Sequence, residues 1–414
     1  MTGAWLVLVE SNTTGSGRLF CRSARRIGLR PVLLARDPDR YPYVRADGID
    51  SAVVDTTSKD AVLAACAALA GPVAGVTSSS EYFIGTAAAA ARSLGLPHPD
   101  PGAVRRCRDK FAQRARLQDS GLPCPRFASA RTPEAAVAAA TRIGLPVVIK
   151  PVAGSGSIGV RLCTSLDEAG AAARYLLATD PADLALPPQE SVLIEQYLDG
   201  AEYSVEILGE QIIGVTRKHL GPEPYFVETG HDFPAPLSAA DQAAIGGTAV
   251  AALRALGLGQ GGAHVELRMT AAGPFLIEVN PRLAGGMIPR MIEEATGIDM
   301  IFQMVASAVG PAGIVRPTRF RAASIRFLVA GAAGFLREIT GIERARRLPA
   351  VAEVGLTCTI GQEVVLSHSF RDRLGYVIAA ADDGSIAARA AEAGVLALDA
   401  RITPASVTVE GGPG

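Results

Sequence analysis

Apolar and polar residues alternate in two short stretches, His264-Val265-Glu266-Leu267-Arg268 and, from its second residue on, Leu276-Ile277-Glu278-Val279-Asn280-Pro281-Arg282. A period of two gives a strand one polar and one apolar face, so both stretches read as half-buried strands, with Thr270-Ala271-Ala272-Gly273 as the turn between them. A hairpin symmetric about Ala272 sets Glu266 opposite Glu278 and His264 opposite Asn280 on one face. Val265, Leu267, Ile277 and Val279 then share the other. Facing carboxylates repel, and a hard divalent cation relieves the repulsion, because Mg²⁺ takes carboxylate and amide oxygens and keeps places for water and phosphate. Arg282 continues the polar face, and Gly285-Gly286 lets a backbone come close. For any one of these residues a solvated hairpin face is the blander reading; the set together reads as a metal and phosphate site.

The same patterning predicts the rest of the chain. Trp5 to Val9 reads as a buried strand, followed by a helix from near Arg18. Further strands are expected at Pro31 to Ala35, Ser51 to Val54 and Pro72 to Val76, with helices at Lys59 to Ala70 and about Ser80 to Leu94. Strands alternating with helices imply a doubly wound parallel sheet. Pro97-His98-Pro99-Asp100-Pro101 marks a boundary, and one helix is expected over Val104 to Ser120, carrying Asp109-Lys110. Asp180 to Gln189 reads as a proline-rich surface loop. Val192 to Leu198 and Tyr203 to Leu208 are strands around a turn holding Glu202, whose side chain is expected in solvent. Arg217-Lys218-His219 and Glu228-Thr229-Gly230-His231-Asp232 are expected in a loop walling a site. Pro289 and Asp299 suit two helix starts with Gly297 ending the first. Gly310 to Pro317 reads as a linker. Beyond it, strands at Arg319 to Ala330, Ala352 to Ile360 and Gly375 to Ala381, with helices about Ile342 to Arg347 and Ser385 to Ala393, make a small α+β subdomain without a chemical signature.

Composition narrows the class. The 414 residues are 49% hydrophobic and 20% charged, enough for two to four globular domains, and the formal net charge is -1 without like-charge blocks. No nucleic-acid groove or membrane surface is indicated, which leaves small-molecule partners. The six cysteines lack C-x-x-C spacing, arguing for reduced thiols and against a zinc site. With no signal-like or membrane-spanning run, the cytoplasm follows by elimination.

Two glycine-rich turns carry candidate chemistry. Gly15-x-Gly17 with Asp37 downstream resembles a dinucleotide fingerprint, but Phe20 stands where a third small residue belongs, so it reads first as a tight strand-to-helix turn. The strand Leu145 to Pro151 instead delivers Lys150 to Gly154-Ser155-Gly156-Ser157-Ile158-Gly159. An ammonium beside closely approachable backbone N–H groups suits a triphosphate, although a flexible hairpin is an equal reading and no Walker G-K-[ST] follows.

Taken in order, these segments resemble the ATP-grasp superfamily, and within it the L-amino acid ligases (dipeptide synthases). The resemblance rests on Ile149-Lys150-Pro151 with its loop, Glu195-Gln196-Tyr197-Leu198 followed by Glu202, Glu228-x-Gly230-His231, His264-Val265-Glu266, and Ile277 through Gly286. It implies an α/β ATP-grasp fold: a Rossmann-like pre-ATP-grasp domain at 1–100, an ATP-grasp domain at 101–315 (lid lobe 126–196, large lobe with the metal site 197–315) and a C-terminal α+β subdomain at 316–414. It further implies that Lys110 and Lys150 contact the α- and β-phosphates beneath the loop of Gly154, Ser155, Gly156, Ser157 and Gly159. Glu195, Gln196 and Leu198 would line the adenine pocket, and Glu202 would take the ribose hydroxyls. Glu266, Glu278 and Asn280 would hold two Mg²⁺ ions, replaceable by Mn²⁺. Lys218 is similar in position to a γ-phosphate lysine, Arg282 to the arginine on phosphate and the reacting carbonyl oxygen, and His231 to a substrate-side histidine. Relatives joining D-alanine have arginine where His264 stands, so His264 reads either as substrate-side or as a cross-strand neighbour of Asn280. Glu81, Tyr82, Gly285, Gly286 and Met287 are further substrate-side candidates. The resemblance leaves room for a homodimer.

The implied reaction is attack of a carboxylate on the γ-phosphate, giving an acyl phosphate and ADP, then attack of an amine on the acyl carbon. His231 is a candidate base. Closure of the glycine loop would keep water from the acyl phosphate. Three alternatives stay open: a purine-pathway or biotin-dependent carboxylase of the same fold, a hydride-transfer enzyme using Gly15 and Gly17, and a nucleotide-binding regulatory module without turnover.

Overall fold

A computed structural model describes residues 3–12, 16–180, 189–311 and 313–404. The Thr13 to Gly15 part of the first glycine turn and most of the expected proline-rich loop, 181–188, lie outside the described residues. In chain order the strands are β1 (Trp5–Val9), β2 (Arg30–Ala35), β3 (Asp50–Val53), β4 (Val73–Thr77), β5 (Phe127–Ala130), β6 (Val147–Pro151), β7 (Arg161–Cys163), β8 (Val192–Gln196), β9 (Ala201–Leu208), β10 (Gln211–Leu220), β11 (Glu228–Phe233), β12 (Gly262–Thr270), β13 (Gly273–Asn280), β14 (Ala322–Val329), β15 (Gly334–Thr340), β16 (Val351–Leu356), β17 (Glu363–Val364), β18 (Arg373–Ala381) and β19 (Asp399–Thr403). They fall into two compact units: the first is Met1–Arg126, Leu198–Thr216 and Leu237–Thr318, and the second is Phe127–Tyr197, Arg217–Pro236 and Arg319–Gly414.

In the first unit β1 to β4 form a parallel sheet in the order β3-β2-β1-β4. Every residue of β1 is buried, as expected of a strand covered on both faces, and Trp5, Val7 and Val9 pack with Val62, Cys66 and Ala87 from the helices beside it. The single helix expected over Val104 to Ser120 is two, Pro101–Arg108 and Lys110–Asp119. Asp109 takes extended dihedrals and its carboxylate accepts from Ala112 N–H, so it caps the second helix and makes Lys110 the first helical residue. The unit also contains the antiparallel neighbours β13, β12 and β9. The helices Ile288–Thr296 and Met300–Ser307 start and stop as predicted, with Pro289 in the first turn, Gly297 left-handed at the C-cap and Asp299 at the next N-cap.

In the second unit β5 to β8 form an antiparallel sheet in the order β5-β8-β6-β7 over an alanine-rich core from the helices Pro133–Ile143 and Leu166–Ala178. A run of antiparallel pairs joins the end of β10 to β11, β14, β18 and β16. The segments around Lys218 and His231, expected as loops, are therefore paired strands. The C-terminal residues hold the predicted strands and helices and add a separate sheet, β17-β15-β19, which patterning did not anticipate: β17 has only two residues, and Arg337-Glu338 interrupts the alternation of β15.

Candidate active site

The hairpin of β12 and β13 has the predicted pairing at its chemically interesting end: His264 faces Asn280, and Glu266 faces Glu278. It arrives there by another route. Thr270 pairs with Gly273 across a tighter turn than one centred on Ala272, and a bulge between Glu266 and Leu267 restores the register. The bulge changes one assignment: Leu276, not Ile277, is the fully buried partner of Leu267. Two neighbours on the helix Lys110–Asp119 secure this strand. The Gln113 side-chain amide accepts from Val279 N–H and donates to Val279 O, both at 2.9 Å, and the fully buried Arg114 donates to Ile277 O.

Both hairpin carboxylates meet cations. Lys110 Nζ lies 3.0 Å from Glu278 Oε1. His264 bridges Glu206 and Glu266, with each ring nitrogen 2.9 Å from one carboxylate, and Ser204 Oγ donates to the same oxygen of Glu206. Burial opposes a charged imidazole, but the two carboxylates outweigh it and raise the His264 pKa to about 9. His264 is thus a buried link between acids rather than a bare cross-strand neighbour.

Arg282 donates through Nε and Nη2 to Glu81 Oε2 at 2.9 and 2.7 Å, and Arg108 Nη1 lies 3.2 Å from the other oxygen. Burial opposes ionisation of Glu81, but Arg282, Arg108 and Lys110 prevail and hold its carboxyl down at about 2. For Arg282, burial disfavours the charge, yet Glu81, Glu278 and Glu266 together raise its pKa, so this guanidinium lies in the field of both hairpin acids. Beyond it, Gly286 and Met287 take left-handed dihedrals before the helix Ile288–Thr296, and a side chain on Gly285 would meet open space.

Two cross-strand carboxylates and an amide match the hard oxygen set that Mg²⁺ prefers while leaving positions for water and phosphate. Among the described residues no three His, Cys, Asp or Glu side chains group as a metal site, as expected where only two of three donors are of those types. Glu202, expected in solvent, lies buried on β9, where Arg268 Nε reaches it at 3.2 Å and Arg268 Nη1 donates to Leu198 O at 2.8 Å.

In the second unit, Lys150 on β6 and Glu195 on β8 form a buried ion pair. The glycine turn that follows rests on the C-terminal residues. Gly156 has a φ of +68°, a Cβ there would lie 2.3 Å from the Phe370 ring, and Phe370 N–H donates to Gly156 O. Ser157 Oγ donates to Phe226 O at 2.8 Å.

Lys218 lies directly opposite His231 in the β10–β11 ladder. In a regular strand residues 228 and 231 would point to opposite faces, but the irregularity between His219 and Leu220 pairs Leu220 with Glu228 and brings Glu228 onto the Lys218 face. Lys218 Nζ is 2.9 Å from Glu228 Oε1, and Arg373 Nη2 is 2.8 Å from Oε2. His231 Nε2 is 3.3 Å from Oε2, close enough for attraction but misaligned for a hydrogen bond. Although Glu228 is buried, Lys218 and Arg373 keep its pKa well below the carboxylate range. His231 is wholly buried with its ring edge-on to Phe327, and burial lowers its pKa against the pull of Glu228, leaving it neutral. Pattern reading missed Glu206, Gln113, Arg114 and Arg373, none of which stands in a motif, and met Arg268 only as a strand residue, without its pairing to Glu202.

Comparison with known proteins agrees along the whole chain. The ATP-grasp N-terminal domain family matches residues 21–98, the ATP-grasp domain family residues 143–290, and the L-amino acid ligase C-terminal domain 2 family residues 326–403. The uncharacterized protein y4rH of Sinorhizobium fredii is 40% identical over 403 residues, 97% of this chain and 84% of its own length. A D-alanine–D-alanine ligase of Ralstonia pickettii is 30% identical over 243 residues, 54% of this chain and 71% of the relative. Carnosine synthase 1 of Homo sapiens is 31% identical over 245 residues, 55% of this chain but 30% of that protein. In fold, the chain is similar to the crystal structure of an L-amino acid ligase from Bacillus licheniformis, with a TM-score of 0.80 and 22% identity over 97% of this chain and 100% of that one. Sequence and fold thus converge with the acidic hairpin, and the chain belongs to the ATP-grasp superfamily, among its ATP-dependent carboxylate–amine ligases.

Proposed function

We propose that the protein joins the carboxylate of one amino acid to the amine of a second, forming a peptide bond with release of ADP and phosphate. The observation that carries the reading is the hairpin face on which Glu266 stands opposite Glu278, and His264 opposite Asn280, with Arg282 following. In the first unit, Glu266, Glu278 and Asn280 would hold Mg²⁺, which when bound neutralises phosphate charge and withdraws electrons from phosphorus. Lys110 adds an ammonium beside Glu278. In the second unit, Lys150 and the loop Gly154 to Gly159 would bind phosphates, with Glu195 and Gln196 toward the adenine and Lys218 toward the γ-phosphate. Leu198 and Glu202 would serve adenine and ribose.

The chemistry asks for positioning and charge rather than a protein nucleophile. A carboxylate oxygen of the first amino acid forms a bond to the γ-phosphorus while the bond to the bridging oxygen of ADP breaks. The second amino acid's nitrogen then bonds to the acyl carbon, phosphate leaves with the former carboxylate oxygen, and the nitrogen sheds a proton. Arg282 would steady the developing oxyanion, and Glu81 would receive a substrate ammonium. His231, buried and neutral in this conformation, accepts a proton only if substrate binding opens a path to it. His264 acts by orienting Glu266.

Positional isotope transfer tests the reading. With a first amino acid labelled with ¹⁸O in both carboxylate oxygens, released phosphate should carry one ¹⁸O and the peptide carbonyl the other. Unlabelled phosphate would refute the acyl-phosphate route, and bicarbonate-dependent ADP formation without an amine would mark a carboxylase instead.

A further inference from the structure

The C-terminal residues show no chemical signature in their sequence, yet one of them reaches the buried carboxylate of Glu228. Arg373, the first residue of β18, donates from Nη2 to Glu228 Oε2 at 2.8 Å and from Nε to the main-chain carbonyl of the same residue at 3.1 Å. One guanidinium therefore grips both the side chain and the backbone of Glu228. Its carbon lies 4.0 Å from the centroid of the Phe327 ring, and that ring in turn meets the edge of His231. Lysine could supply the charge but neither the fork nor the stacking.

The arm carrying Arg373 is itself held. The preceding turn ends in Asp372, whose buried carboxylate accepts from Ser367 N–H at 2.8 Å and Ser367 Oγ at 2.7 Å. The Asp372 carbonyl accepts from Ala330 N–H at 2.8 Å. The charged groups about His231 are Glu228 on its own strand, Lys218 on β10, Arg373 on β18, and Arg326 on β14, which donates to the His231 carbonyl and to Asp232.

We propose that Arg373 is a positioning residue for the reaction, fixing Glu228 so that Lys218 at one of its oxygens and His231 beside the other keep their places. The proposal rests on the ligase reading above and gives the C-terminal subdomain a part in the chemistry. Glu228 can hold Lys218 in one orientation only while its own rotamer and backbone are fixed, and Arg373 supplies both restraints.

Arg373→Ala and Arg373→Lys test it, with steady-state phosphate release from ATP and paired amino acids and with NMR titration of ¹⁵N-labelled histidine. The chain has five histidines, so the His231 signal is identified by its loss in His231→Gln. Arg373→Ala should lower kcat about ten-fold or more while KM for ATP stays within about two-fold, and Arg373→Lys should recover only part. His231 should titrate at higher pH in Arg373→Ala, because a neighbouring positive charge has gone. An unshifted His231 titration overturns the proposal, as does a kcat equal to that of the parent or full recovery by lysine. A parent protein that releases no phosphate in the presence of amino acids defeats the ligase reading instead, and the His231 titration then decides the role of Arg373 alone. If Arg373→Ala fails to fold, Arg373→Gln, which removes the charge but keeps a polar side chain, carries the titration, and Arg373→Lys carries the kinetic comparison.

Discussion

Glu81 lies between two guanidinium groups, and its folded pKa of about 2 is well below the ordinary 4.5. A depressed carboxylate contributes stability that is present above the unfolded pKa and lost as pH falls through the folded one, here between about 4.5 and 2, and the shift corresponds to about 3 kcal/mol. Glu81→Gln should therefore be less stable than the parent at pH 7, and the difference should shrink as pH approaches 2. Denaturant unfolding across that range checks it; a gap independent of pH would show that the ion pairs contribute nothing. At Glu278, removal of the charge should separate chemistry from folding. Glu278→Gln keeps the shape beside Lys110, so the melting temperature should change by only a few degrees while amino-acid-dependent phosphate release is lost. Retained turnover would remove Glu278 from the metal site.

At the scale of elements, two irregular strand pairings matter more than any propensity. The shift between Glu266 and Leu267 returns the hairpin to the register that sets its acids face to face, and the shift between His219 and Leu220 turns Glu228 toward Lys218. The first pairing was readable because alternation is clean from His264 to Thr270 and from Ile277 to Asn280, the stretches that carry the acids. The second was not, since nothing in Glu228-Thr229-Gly230-His231 marks a strand with a bulge. The Asp109 break was equally hidden: a capping aspartate inside a continuous helical pattern looks like any surface charge. Gln113 gives β13 a substitute neighbour, so Gln113→Leu, which strands the N–H and C=O of Val279, should cost about 2–4 kcal/mol and speed amide exchange at Val279. Unchanged exchange there would mean that the strand holds its own register. Gly156→Ala places a side chain at a left-handed position against Phe370, which costs about 1–2 kcal/mol before any clash. KM for ATP should rise several-fold, and Phe370→Ala should recover part of the loss; a KM unaffected by Gly156→Ala would take the loop out of nucleotide binding.

At the scale of the whole molecule, the fold was legible where short-range pattern determines it. The buried β1, the parallel β2 to β4, and the helix starts at Pro289 and Asp299 follow from local hydrophobic runs and caps. The partners that shape the candidate site come from far along the chain. Arg268 meets Glu202 across 66 residues, His264 meets Glu206 across 58, and Arg373 meets Glu228 across 145. Such pairs leave no periodic trace, which is why Glu202 read as exposed and the C-terminal subdomain as chemically silent. Among the described residues no helix is long and apolar enough to cross a membrane. The most direct measurement is phosphate release from ATP and Mg²⁺ with every pair of amino acids, with products weighed by mass spectrometry. At least one pair should give ADP, phosphate and a product lighter by one water than the two amino acids combined, with neither partner sufficient alone and with Glu278→Gln inactive. Phosphate release indifferent to amino acids, or a product formed equally by Glu278→Gln, would contradict the ligase reading.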